Sequence, residues 1–115
     1  MADDCLFCKI VAGELPAKAV YESDTVLAFA DIEPSAPHHV LVIPKLHIAG
    51  PLALDKTTAS VMGELFLAAK TVAVQAGFAE TGYRLVMNQG QQGGQSVFHM
   101  HLHVLGGRQM QWPPG

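Results

Sequence analysis

The chain has 115 residues, the usual size of one domain, with 50% apolar and only 15% charged residues. That balance excludes a disordered chain and supports a core that hides roughly two-thirds of the unfolded surface. A net charge of −3, with seven scattered Lys and Arg, leaves no basic stripe to follow a nucleic-acid backbone, and no apolar run reaches the ~18 residues of a membrane span. The acidic start MADDCLFCKI lacks the apolar stretch of a secretory signal, so a cytoplasmic protein without nucleic-acid or membrane partners is expected.

In chain order, residues 5–12 (CLFCKIVA) predict a short helix ending at Gly13. Residues 18–22 and 25–30 predict two strands joined by Ser23 and Asp24, a hairpin signal, and the β-branched run 38–43 predicts a third strand stopping at Pro44. One long helix is expected from Asp55 to Ala76. Val61, Leu65, Ala68, Val72 and Ala76 form its stripe, Met62, Phe66 and Ala69 widen it, Asp55 or Thr57 caps its start and Gly77 its end. Residues 83–88 and 98–105 predict the fourth and fifth strands. The order β-β-β-α-β-β implies an α+β domain spanning 1–115, a five-stranded antiparallel sheet with one long and one short helix. Residues 105–115 form a Gly- and Pro-rich tail.

Chemistry concentrates in the fifth strand. His99, His101 and His103 alternate with Met100, Leu102 and Val104, so strand periodicity places three imidazoles on one face, about 6–7 Å apart, and three apolar side chains on the other. Two functions fit such a row. One is zinc binding; the other is attack on phosphorus by a neutral imidazole, with a neighbouring imidazolium neutralising oxyanion charge. The loop NQGQQGGQS (88–96) tips the balance to the second. Its glycines let backbone N–H groups close on an anion, and Asn88 and Ser96 add donors that a metal site does not need.

The run HMHLHVL (99–105) resembles the histidine-triad signature, in which histidines alternate with apolar residues. GQSVFHMHLHVLGGRQMQWPPG (94–115) and DIEPSAPHHVLVIPK (31–45) are similar to the Hint branch of the histidine-triad (HIT) superfamily, the purine-nucleotide phosphoramidases. The likeness runs from about Cys5 to Gly115. It implies a hydrolase that cleaves the P–N bond of purine nucleoside phosphoramidates through a nucleotidyl-histidine, with no cofactor needed for the chemistry. His101 would be the nucleophile, His99 and His103 would orient it and stabilise phosphate charge, and His39 would support them. Ser96 would hydrogen-bond the leaving nitrogen, while Asn88 and the Gly94 and Val97 amides would hold phosphate. Asp31 would take the ribose hydroxyls, as an acceptor-only carboxylate can, next to Ile32. Phe7, Ile10, Phe29, Ile32 and Leu41 would sandwich the purine.

Cys5 and Cys8 form a C-x-x-C pair, which in a reducing compartment more often binds metal or does redox work than forms a disulfide. Bacterial-type relatives carry zinc on such a pair, and the resemblance implies a structural zinc site on Cys5, Cys8, His47 and His99; the alternative is a pair of ordinary thiols near a surface helix. The family likeness also implies a homodimer paired through the long helix and fourth strand, with Trp112 of the tail reaching the partner's site. Two other functions stay open at this stage: a dinucleoside polyphosphate hydrolase of the Fhit type, and a nucleotide-binding interaction protein with incidental turnover.

Overall fold

The computed structural model describes residues 4–115. Five strands form one antiparallel sheet in the order β1-β2-β3-β5-β4. They are β1 (Ala19–Glu22), β2 (Val26–Ala30), β3 (His38–Pro44), β4 (Tyr83–Met87) and β5 (Leu102–Gly106). The helices are α1 (Leu6–Val11) and α2 (Ser60–Ala76), with a short 3-10 turn at Pro51–Ala53. Ser23 Oγ accepts from the Thr25 and Val26 amides and closes the first hairpin.

The interior strands β2 and β3 are buried on both faces, which is why they read as nearly continuous apolar runs. Val26, Ala28, Val40, Val42, Met100, Leu102 and Val104 face α2, where they meet Leu65, Ala68, Ala69, Val72 and Ala73. Leu27, Phe29, Leu41 and Ile43 face the other way and pack with Phe7, Cys5 and Cys8 at α1. This α1 face is the one that receives the histidines.

Three expectations need correction. The fifth strand begins at Leu102, not at residue 98, because the chain bends through residues 97–99 before joining the sheet. The long helix begins at Ser60 without a side-chain cap, because Asp55 Oδ1 spends its capping capacity on a separate turn, accepting from the Thr57 and Thr58 amides. Its buried stripe gains Ala73 and loses Phe66 and Ala76, which are exposed. The end at Gly77 is as expected, with φ 85° in the left-handed region that glycine adopts freely.

Candidate active site and metal centre

The register of β3 on β5 sets Leu41 opposite His103 and His39 opposite Leu105. His39 and His103 are therefore diagonal neighbours on the α1 face, within side-chain reach. His39 Nε2 lies 2.9 Å from His103 Nδ1. The Ser35 backbone N–H donates to His39 Nδ1 at 2.9 Å, so a neutral His39 carries its proton on Nε2 and gives it to His103 Nδ1. His103 is then left with its own proton on Nε2. Asp31 Oδ2 is 3.4 Å from His39 Nε2, and Asp31 Oδ1 accepts from the Glu33 amide.

Burial, reinforced by His101 and His39 and opposed by Asp31, lowers the His103 pKa to about 4. Burial also lowers His39, again with Asp31 opposing it. Both imidazoles are thus neutral at neutral pH.

His101 is 6% exposed. Its Nδ1 sits 2.8 Å from the His99 carbonyl, a geometry that requires Nδ1–H and leaves the Nε2 lone pair unprotonated in the neutral ring. The Phe7 ring stands perpendicular to it at 5.2 Å. His101 and His103 line a cavity of 640 Å³ together with Ser96, Val97 and Asp31. Its lining includes the expected Phe7, Ile10, Phe29, Ile32 and Leu41, and also Leu15, from an irregular loop with no sequence signal, and Lys18, which the sequence put in the first strand but which lies just before it.

His99 departs from the expected row. It is fully buried, and its ring leaves the cavity for the two cysteines. Its Nε2–H donates to the Pro44 carbonyl at 2.8 Å, so Nδ1 is free of its proton. Burial, reinforced by His47 and His101 against the Pro44 bond, lowers its pKa and keeps it neutral. What His99 offers His101 is its backbone carbonyl, and its imidazole lies outside the cavity.

The ring nitrogen of His99 instead meets Cys5, Cys8 and His47, whose donor atoms all lie within 4.8 Å of one another. Sulfur–nitrogen separations are 3.4 Å for Cys5–His99, 3.6 Å for Cys8–His99 and 3.3 Å for Cys8–His47, and the two Nδ1 atoms are 3.2 Å apart. Tetrahedral zinc with ordinary bond lengths spaces its sulfur and nitrogen ligands by roughly 3.3–3.6 Å. The four residues fit a structural zinc, and Pro44 fixes the tautomer from behind.

Asp31, His39 and His103 also come together, but their geometry is different. The His39 and His103 ring centres are 5.2 Å apart although their nitrogens are only 2.9 Å apart. The His47 and His99 centres are closer, at 5.0 Å, although their nitrogens are farther apart. The first pair points nitrogen to nitrogen along a hydrogen bond; the second bends toward a common point.

Among the remaining expected residues, Gly94 is exposed and its amide donates to Gln91 within the loop turn. Asn88 is half-buried and, like Gly94 and Trp112, does not line the cavity of this single chain. Trp112 is 80% exposed and lies against Arg84 of β4. Sequence reasoning missed Gln95, which is buried in the glycine-rich loop. Its three companions Gln89, Gln91 and Gln92 are exposed, so composition gave no hint that one glutamine differed.

The HIT domain family model matches residues 12–110. A 14 kDa zinc-binding protein of Brassica juncea is 48% identical over 114 residues, covering 97% of this chain and 100% of that protein. Adenylylsulfatase HINT1 of Arabidopsis thaliana is 48% identical over 112 residues, covering 96% of this chain and 76% of that protein. The crystal structure of a HIT family hydrolase from Legionella pneumophila Philadelphia 1 superposes with a TM-score of 0.95 at 51% identity, over 97% of this chain and 100% of that one. These matches, with the histidine and cysteine geometry above, establish that the chain belongs to the HIT domain family, in its Hint-like branch.

Proposed function

We propose that the protein is a nucleotide hydrolase that cleaves the P–N bond of purine nucleoside phosphoramidates through a nucleotidyl-His101 intermediate. The observation that carries this reading is the tautomer of His101. With Nδ1–H committed to the His99 carbonyl, Nε2 is the nucleophilic atom, on a ring that lines the cavity. Apolar walls accept a purine, and Asp31 on the same cavity accepts hydrogen bonds from ribose hydroxyls.

In the first step His101 Nε2 attacks phosphorus, the P–N bond to the leaving group breaks, and the departing nitrogen takes a proton from solvent and leaves as an amine. Ser96 donates to that nitrogen as it departs. His103 presents Nε2–H to the phosphoryl oxygens, in the tautomer that Ser35 and His39 impose. In the second step water attacks the nucleotidyl-histidine and gives up a proton to solvent, the P–Nε2 bond breaks, and nucleoside monophosphate is released with His101 restored.

A zinc held by Cys5, Cys8, His47 and His99 would be structural and would supply no chemistry to this cycle. It would tether α1 to the segment that follows β3 and to the start of the triad, which holds Phe7 against His101.

The adenylylsulfatase relative favours a second leaving group, sulfate, on the same nucleophile. Assays of an adenosine phosphoramidate, adenosine phosphosulfate and a diadenosine polyphosphate separate the choices. The expected order places the phosphoramidate first by kcat/KM, and rapid quenching should trap a nucleotidyl adduct on His101. Preference for the polyphosphate, or an adduct absent during turnover, would overturn the reading. We further propose that the active form is a homodimer joined through α2 and β4, with the tail shaping the partner's site.

A further inference from the structure

The loop between β4 and β5 should be mobile on composition alone, since residues 88–96 contain three glycines and four glutamines. Instead it is clamped by one buried side chain. Gln95 Nε2 donates to the Ala49 carbonyl at 2.7 Å and to the Val97 carbonyl at 3.1 Å, and Gln95 Oε1 accepts from the Gly90 amide at 2.9 Å. The Gln95 amide donates back to the Gly90 carbonyl. One side chain thus closes the loop on itself, ties it to the segment after β3, and fixes the Val97 carbonyl, one residue beyond Ser96. Ser96 and Val97, held between these bonds, line with Leu6 both the 640 Å³ cavity and a neighbouring one of 490 Å³.

A second, independent feature protects the clamp. A Cβ on Gly50 would lie 2.7 Å from Gln89 Oε1 and 3.2 Å from Gln95 Oε1. Gln89 Oε1 is itself held by the Leu52 amide at 2.7 Å. Gly50 has extended backbone that any residue adopts, so a side chain there would crowd the two glutamines through space alone, pressing on Gln95 at 3.2 Å.

We infer that Gln95 is the positioning residue of the reaction, setting where Ser96 stands relative to the scissile bond, with Gly50 making room for it. This rests on the proposed P–N hydrolysis. Each of the three bonds joins Gln95 to backbone, so the side chain acts on the reaction only through the path of the loop. An unmade bond to a buried amide or carbonyl costs enough to move that path.

The test is a double-mutant cycle on zinc-loaded protein with an adenosine phosphoramidate. Ser96→Ala and Gln95→Ala should each lower kcat by about tenfold with a smaller change in KM, and the double variant should fall no further than the worse single one. Gln95→Glu, which keeps the acceptor but loses both donors, should lose most of the same activity. Multiplicative losses in the double variant, or an unchanged kcat in Gln95→Ala, would overturn the inference. Should Gln95→Ala fail to fold, Gly50→Ala presses on the clamp from outside and should reproduce its kcat defect; normal kcat there counts against the proposal. Hydrogen exchange at the Gly90 amide reads the clamp without any substrate. Faster exchange in Gln95→Ala with no hydrolysis by the parent protein would refute the P–N reading and leave the clamp intact, whereas unchanged exchange would refute the clamp.

Discussion

The His101 ring is held by the carbonyl of His99, two residues back and 2.8 Å away. The residue that orients His101 is therefore itself anchored, by its own side chain, to the two cysteines and to Pro44. The metal centre and the cavity are separate in chemistry but joined by one peptide group. Replacing His101 tests the cavity half of this arrangement. His101→Ala should keep the fold and nucleotide binding while kcat falls by ~10³-fold or more. His101→Gly should show no nucleotidyl adduct by mass spectrometry after quenching at neutral pH. Near-normal turnover by either variant would remove His101 from the nucleophile's position.

The metal half predicts one zinc per chain in protein purified without chelators, as read by elemental analysis. Cys8→Ser should lose that zinc and lower the melting temperature. Because Phe7 of α1 touches both His101 and Phe29, zinc removal should raise KM for the nucleotide before it abolishes kcat. A protein with no zinc and two reactive thiols would exclude the site.

Neutral, buried histidines make stability depend on pH. An exposed His in the unfolded chain titrates near 6.5, while His103 in the fold titrates at about 4. Between those values the unfolded chain binds more protons, so stability is full above about pH 6.5 and falls as pH drops toward 4. His39 shifts in the same direction. Thermal melts at pH 7.5 and pH 5 should therefore differ, and His103→Gln should shrink the difference. An undiminished difference in that variant would assign the acid sensitivity elsewhere.

Close packing at the start of the tail gives a test of the fold. A Cβ on Gly106 would lie 2.5–2.9 Å from the Phe78 ring, which is itself stacked on His38 and edge-on to Tyr83. Gly106→Ala should cost about 1–3 kcal/mol in urea unfolding, the usual range for overpacking. Shortening the ring in a Phe78→Leu background should recover part of that loss.

Much of this architecture was legible in the chain. Alternation put Met100, Leu102 and Val104 in the core, and all three are at most 2% exposed. The same alternation put His99 on the α1 face with His101, where it meets Phe7, but it did not show that the His99 ring turns to the cysteines and away from the cavity. Period-two patterning reports which face a residue takes, but it cannot report where a strand starts. The pull of Cys5, Cys8 and His47 on the His99 ring comes from residues at least 52 positions away. The cysteine spacing hinted at the cluster, but only the fold brings its ligands together. Gln95 and Gly50 carried no signal at all, because their importance lies in a contact between two loops.

The remaining prediction concerns surface that one chain leaves uncovered. On α2, Phe66, Leu67 and Val74 are 48%, 65% and 58% exposed, more apolar surface than a helix packed on one side should show. β4 is an edge strand whose neighbour on one side is β5, with backbone groups on the other side open to a second strand. Beside it, Arg84 donates to the Gln111 carbonyl at 2.9 Å and sits 5.9 Å from the centre of the Trp112 ring. The tail is thus already held at the edge where a two-fold pairing of β4 would form. Trp112 does not line its own chain's cavity, so a role in catalysis requires the partner's. Light scattering at micromolar concentration should give a dimer, and Leu67→Glu with Val74→Glu should shift it toward monomer. Deleting residues 109–115 should alter the ranking of leaving groups more than it alters the melting temperature. A monomeric parent protein would sink the pairing, and an unaltered substrate ranking after truncation would confine Trp112 to its contact with Arg84.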